Sequence, residues 1–238
     1  MTISQQQPLD PNTIPKYVNQ LFIPPVYYPN VSIDPKTGAI THNYTVSAVQ
    51  FKQQILPPGF PSTTVWGYEG LVKSSCFKKF RLHRSSPGAT FEAIRGIPVI
   101  VKWVNKIKTP HLLPVDPTIH WANPNNMPMD PGKPWPPFPP GFREAQFPVP
   151  LVTHLHGGEV PSDSDGHPEA WQTFNGIRGE KFVTDKFLYP NRQQSTTLFY
   201  HDHALGITRL NVYAGLAGLY VIRDPKNLLD NQKTTMLP

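Results

Sequence analysis

Cysteine is nearly absent from this 238-residue sequence: Cys76 stands alone. No disulfide can close within the chain, and no Cys-x-x-Cys metal site exists. The opening residues, MTISQQQPLDPNTIPK, hold no apolar run of the kind a secretory leader needs. No stretch approaches the roughly 20 apolar residues of a membrane-spanning helix, so a membrane is not an expected partner. Charged residues are sparse at 16%, and the net charge of +6 comes from dispersed Lys and Arg. The short basic run Lys78, Lys79, Arg81 and Arg84 matches no nucleic-acid-binding signature. Nucleic acid is therefore excluded as an expected partner, and the basic surface reads as solvated. No internal repeat is found.

Proline, by contrast, is abundant, with 30 residues. It lacks an amide donor and breaks helices, so this load predicts an all-β body of short strands and long loops. Residues 1–43 read as an extended N-terminal arm and 44–225 as one β domain. The polar tail 226–238 reads as a linker to a further domain that the sequence does not contain. Alternating apolar residues place a first strand from Tyr44 and a second at 63–66. Residues 71–86 read as an inserted basic loop. Residues 90–94 and 98–104 are expected to form a strand pair, followed by a proline-rich loop or lid over 108–148. Further strands are expected at 149–155, 181–189, 196–201 and 218–223, with a short helix in ALGITRLNVYAG.

Nine histidines are present, and four fall in matched pairs: His154 and His156 in THLHGG, and His201 and His203 in YHDH. Each pair sits at the end of an expected apolar strand. Residues i and i+2 of a strand share a face, with Cβ atoms roughly 6–7 Å apart. Two imidazoles so placed can serve one metal or two neighbouring metals, and neutral imidazole suits copper, zinc, iron and nickel. A lone His-x-His is more often incidental, but two such pairs on neighbouring strand ends point to a metal centre. Gly157 and Gly158 fit either an ordinary turn or the close backbone approach that a crowded cluster requires. Asp163 and Asp165, in SDSDG, are turn formers; Asp165 is also a candidate carboxylate beside the metals.

HLHGGEVPSDSDGHPEAW and YHDHALGITRLNVYAGLAGLYVIRDP resemble the first-domain signatures of multicopper oxidases, in particular spore-coat laccases and bilirubin-oxidase-like enzymes. VWGYEG, SSPGATFEAIRG, VIVKWVNKI and LLPVDPTIH follow in the same order, so the resemblance runs from about residue 14 to 225. It implies a cupredoxin-like Greek-key β-barrel or sandwich with copper as cofactor. By position, His154 resembles a type 2 copper ligand, and His156, His201 and His203 resemble type 3 ligands. Asp165 matches an acidic position near the oxygen-reducing centre, with a proton relay as its implied role. The implied activity reduces dioxygen to water while a phenolic, pigment or metal-ion substrate is oxidised at a type 1 copper elsewhere. The implied partners are the remaining cupredoxin domains, in the same gene or a split subunit. The implied location is cytoplasmic or on a spore or cell surface.

The sequence also departs from that pattern. A type 1 site needs a cysteine in a His-Cys-His motif, whereas Cys76 is flanked by Ser75 and Phe77 and reads as a free thiol. The expectation is thus half of a three-copper centre, inactive as an oxidase without further domains. A non-enzymatic copper-binding or assembly module is the alternative. A metallohydrolase is disfavoured: Gly157, Gly158 and Glu159 follow His156 where a His-x-His-x-Asp-His site would continue.

Overall fold

The structure, a computed structural model, describes residues 9–73, 80–127 and 142–226. It contains ten strands: β1 (Asn30–Ile33), β2 (Ile40–Gln53), β3 (Thr63–Lys73), β4 (Phe80–Ser85), β5 (Gly88–Ile94), β6 (Val99–Asn105), β7 (Thr153–His156), β8 (Lys186–Tyr189), β9 (Thr196–Asp202) and β10 (Ala217–Arg223). Two short helices, α1 (Arg143–Gln146) and α2 (Thr208–Ala214), complete it. One sheet runs β4-β3-β2-β6-β8, with β1 also on β2; the other runs β5-β10-β9-β7. Parallel pairs β2–β6 and β5–β10 interrupt otherwise antiparallel ladders. The all-β, Greek-key-like sandwich expected from the sequence is what forms.

The core between the sheets is aromatic. Tyr68 and Trp103 from the first sheet meet Phe91 and Tyr200 from the second, with Tyr220 against Phe91, all buried. Tyr200 lies 5.1 Å from Tyr68, 5.2 Å from Phe91 and 5.7 Å from Trp103, ring centre to ring centre. Such tilted and edge-on pairs add to the burial of their area. This cluster anchors the inner face of β9 through Tyr200, one residue before His201.

Four expectations need correction. Of residues 71–86, those described on either side of 74–79 are largely strand rather than loop: β3 extends to Lys73 and pairs with β4 in register from Tyr68↔Ser85 to Lys73↔Phe80. The basic character marks an edge strand, where charge discourages pairing with other chains. Residues 90–94 and 98–104 do not pair with each other; β5 joins β10 and β6 joins β2 and β8. The turn through Gly96, at φ +81°, carries the chain from one sheet to the other. The strand expected at 149–155 begins only at Thr153, because Pro148 and Pro150 cannot donate to a ladder. That expected at 181–189 begins at Lys186, whose amide is taken by the Thr184 hydroxyl.

The helix in ALGITRLNVYAG forms as α2. In the arm, Tyr27 is buried and its neighbours bridge to both sheets: Val26 pairs with Thr90 and Tyr27 with Val72. Of the 108–148 loop, residues 108–127 contain no strand or helix, and 143–146 form the single turn α1. Cys76, residues 128–141 of that loop and the tail from 227 lie outside the described residues.

Candidate metal centre

β7 and β9 run antiparallel with His154 opposite His201, Leu155 opposite Tyr200 and His156 opposite Phe199. Leu155 and Tyr200 are fully buried between the sheets. The two-residue period of a strand therefore turns His154, His156, Phe199 and His201 to the outer face. Past the end of β9, the His203 amide donates to the Val152 carbonyl at 2.8 Å, continuing the ladder for one more residue. The four imidazoles converge. Ring centres lie 4.7 Å apart for His154–His203, 5.5 Å for His154–His156 and His156–His201, 5.6 Å for His154–His201 and 5.8 Å for His201–His203.

Backbone carbonyls orient three of the rings. Nδ1 of His201 meets the Asp202 carbonyl at 2.6 Å, Nδ1 of His154 the Asp165 carbonyl at 2.5 Å, and Nδ1 of His203 the Gly166 carbonyl at 3.0 Å. A carbonyl only accepts, so each Nδ1 carries the proton and each Nε2 keeps its lone pair. His156 differs: its Nδ1 faces His201 Nε2 at 3.2 Å, and with the His201 proton on Nδ1 it is His156 Nδ1–H that donates to that lone pair. Burial holds His201 below the ordinary histidine range, and the neighbouring imidazoles add to the effect. His201 is thus favoured as a neutral nitrogen donor.

The turn Ser162–Ser164 and the two residues after it supply both carbonyls that hold His154 and His203. Gly166 sits at φ +77°, and a Cβ there would run into the Thr153 carbonyl. Asp165 also brings carboxylate Oδ1 to 3.4 Å from His154 Nδ1, with half of its side chain exposed.

Behind the cluster lies a polar network that sequence reasoning missed. Asp202, between the two histidines of its pair, points inward and is buried. Its carboxylate accepts from the Val152 amide at 3.0 Å, the Ala204 amide at 3.1 Å and Asn211 Nδ2 at 2.7 Å. Burial pushes its pKa up to about 7 against the pull of those donors. Asn211 Oδ1 in turn accepts from Nε2 of buried His111, whose Nδ1 accepts the Leu113 amide. The signal for Asp202 was its position between two outward-facing residues; for Asn211, it was a polar side chain on the apolar face of a short helix.

Four imidazoles brought close together at two strand ends are nitrogen donors of a kind that suits copper. Among the described residues, however, no group of three or more His, Cys, Asp or Glu side chains is set to hold a metal ion. His42, on β2, belongs to the opposite sheet and takes no part in the cluster.

Residues 145–227 match the multicopper oxidase family. The chain is 37% identical to a laccase of Bacillus subtilis over 215 residues, covering 90% of this chain and 34% of that protein. It is 38% identical to a laccase of Haloferax volcanii, covering 88% of this chain and 31% of that one. In fold it is similar to the crystal structure of a laccase from Pediococcus acidilactici, with TM-score 0.54 and 20% identity over 89% of this chain and 31% of that one. The chain spans about a third of the length of these relatives.

Proposed function

From the premise that this chain carries a multicopper oxidase domain of cupredoxin type, we propose that His154, His156, His201 and His203 are its copper ligands. The family implies copper. In this reading His154 serves a type 2 ion, while His156, His201 and His203 serve a type 3 pair. The observation that carries it is the convergence of one imidazole from each pair, His156 and His201, with ring nitrogens 3.2 Å apart.

Bound copper would supply single electrons to dioxygen, which leaves as water. The chain's own residues do the rest. The carbonyls of Asp165, Gly166 and Asp202 fix which nitrogen His154, His203 and His201 present. Asp165, half exposed and beside His154, is placed to carry protons between solvent and the centre. Two imidazoles from each strand end leave every ion short of ligands, so the reading includes further domains that close the sites and house a type 1 copper. The substrate class, phenolic, pigment or metal ion, belongs to that larger assembly. A copper-binding module without oxidase activity is the second reading, since four imidazoles alone cannot complete three copper sites.

Titration of the chain with Cu(II), followed by electron paramagnetic resonance, tests the assignment. His156→Ala and His203→Ala should each abolish most of the binding, and His42→Ala should leave it intact. Binding indifferent to the first two substitutions would sink the assignment.

A further inference from the structure

His156 is the exposed member of the cluster, and its hydrogen bond among the described residues runs to another imidazole rather than to a backbone carbonyl. A histidine χ2 is broad and roughly two-fold, so nothing intrinsic sets the plane of this ring. Across the ladder, Phe199 stands directly opposite. Its ring stacks on His156 at 4.7 Å between centres and 19° between planes. The same ring stacks on His201, two residues along the same strand, at 4.9 Å and 22°. One phenyl thus lies against one imidazole from each pair, and these are the two whose nitrogens face each other.

We propose that Phe199 is a positioning residue for the metal centre. It acts as an aromatic plate that sets the ring planes of His156 and His201, so that their facing nitrogens address one metal-binding space. The proposal rests on the copper assignment above. Phe199 is 41% exposed, unlike its inward neighbour Tyr200, which is fully buried. Phenylalanine on a half-open sheet face loses apolar area to water, and covering two imidazoles is the compensating contact. The division of labour is then complete: carbonyls orient His154, His201 and His203, Phe199 fixes the plane of His156, and His201 Nε2 selects which nitrogen His156 turns inward.

The test uses the whole chain with Phe199→Leu, which keeps apolar bulk but loses the ring, and Phe199→Trp, which restores an aromatic face. In the metal-free chain, histidine ring resonances are read by NMR. The Leu variant should lose the upfield ring-current shift of His156 and His201 while His154 and His203 stay in place; the Trp variant should retain it. In Cu(II) titrations the Leu variant should bind about two- to tenfold more weakly, the range an aromatic pair contributes, and Trp should restore the affinity. Unmoved His156 and His201 resonances in the Leu variant, or unchanged Cu(II) affinity with an unchanged resonance spectrum of the bound copper, would overturn the proposal. If the wild-type chain takes up no Cu(II) while the ring resonances respond as described, the copper assignment fails and the ring-positioning role stands.

Discussion

Asn211 donates a 2.7 Å hydrogen bond to Asp202, tying α2 to the carboxylate that separates His201 from His203. The same carboxylate takes the amide of Val152, two residues before His154. One buried group therefore joins both strand ends that carry the imidazoles, and Asn211 holds that group in place. Removing the amide with Asn211→Ala would leave a buried acceptor short of a donor and His111 Nε2 without its partner. Such losses cost about 2–3 kcal/mol. Urea denaturation should show a drop of that size, and Cu(II) affinity should fall with it although no ligand has changed.

Tyr200 makes a separate demand on the sequence. Its hydroxyl donates to the Ala89 carbonyl at 2.7 Å, and a Cβ at Gly218 would run into its ring. Gly218 is the notch that lets Tyr200 fill the core directly before His201. Gly218→Ala should cost about 1–3 kcal/mol through overpacking. Tyr200→Phe should cost about 1–2 kcal/mol, since the Ala89 carbonyl loses its donor and the Tyr27 hydroxyl its 3.5 Å contact. Thermal melts of both variants check the order; a Gly218→Ala variant as stable as wild type would remove the steric argument.

His111 gives the fold a dependence on acid. Burial holds it below the ordinary histidine range, outweighing the hydrogen bond to Asn211 Oδ1 that favours its charge. The groups that face it are the Asn211 amide and the edge of the Trp66 indole, 4.5 Å away between ring centres; the nearest carboxylate on this network, Asp202, is reached only through Asn211. A histidine kept neutral in the fold binds its proton more readily when unfolded. Its stabilising contribution is complete above the unfolded value of about 6.5 and is lost as pH falls below that through the folded value. His42 and His83, also lowered by burial, act in the same direction. Asp202, pushed up to about 7, acts in the opposite direction over the same range, so the check is a comparison of chains. Between pH 7.5 and 5, His111→Gln, which keeps a donor for Asn211, should lose less unfolding free energy toward acid than the wild type does. An identical slope in the variant would remove His111 as a cause.

The fold class and the four histidines were legible because both are local signals. Proline density excludes long helices whatever the tertiary context, and a two-residue spacing on a strand fixes a shared face. Pairing was not legible. Residues 90–94 and 98–104 look like a hairpin in sequence, yet the turn at Gly96 sends them to different sheets, because β5 is completed by β10, more than a hundred residues later. The basic segment 80–85 concealed a strand, since an edge strand needs little apolar alternation. The support behind the histidines was hidden for a related reason. Asp202 and His111 look like surface residues until the fold brings Asn211 to both of them, and Phe199 looks like core until β7 places His156 across from it.

Gly166 separates two roles for the turn that follows the first histidine pair. Its carbonyl orients His203 and the preceding carbonyl, that of Asp165, orients His154, so consecutive peptide groups hold one ligand from each pair. At φ +77° a side chain costs about 1–2 kcal/mol from backbone strain alone, and an alanine Cβ would also strike the Thr153 carbonyl. The turn must then shift, and both carbonyls shift with it. Gly166→Ala should lower stability and weaken Cu(II) binding together. Asp165→Asn, in contrast, keeps the backbone carbonyl and removes only the carboxylate near His154, so copper affinity should hold while any oxygen reduction in the complete enzyme slows through loss of the proton carrier. Equilibrium Cu(II) titration of the two variants separates the contributions. If Asp165→Asn loses copper as Gly166→Ala does, the carboxylate rather than the peptide carbonyl is what holds His154, and the assignment of Asp165 to proton transfer would give way to one of ligand support.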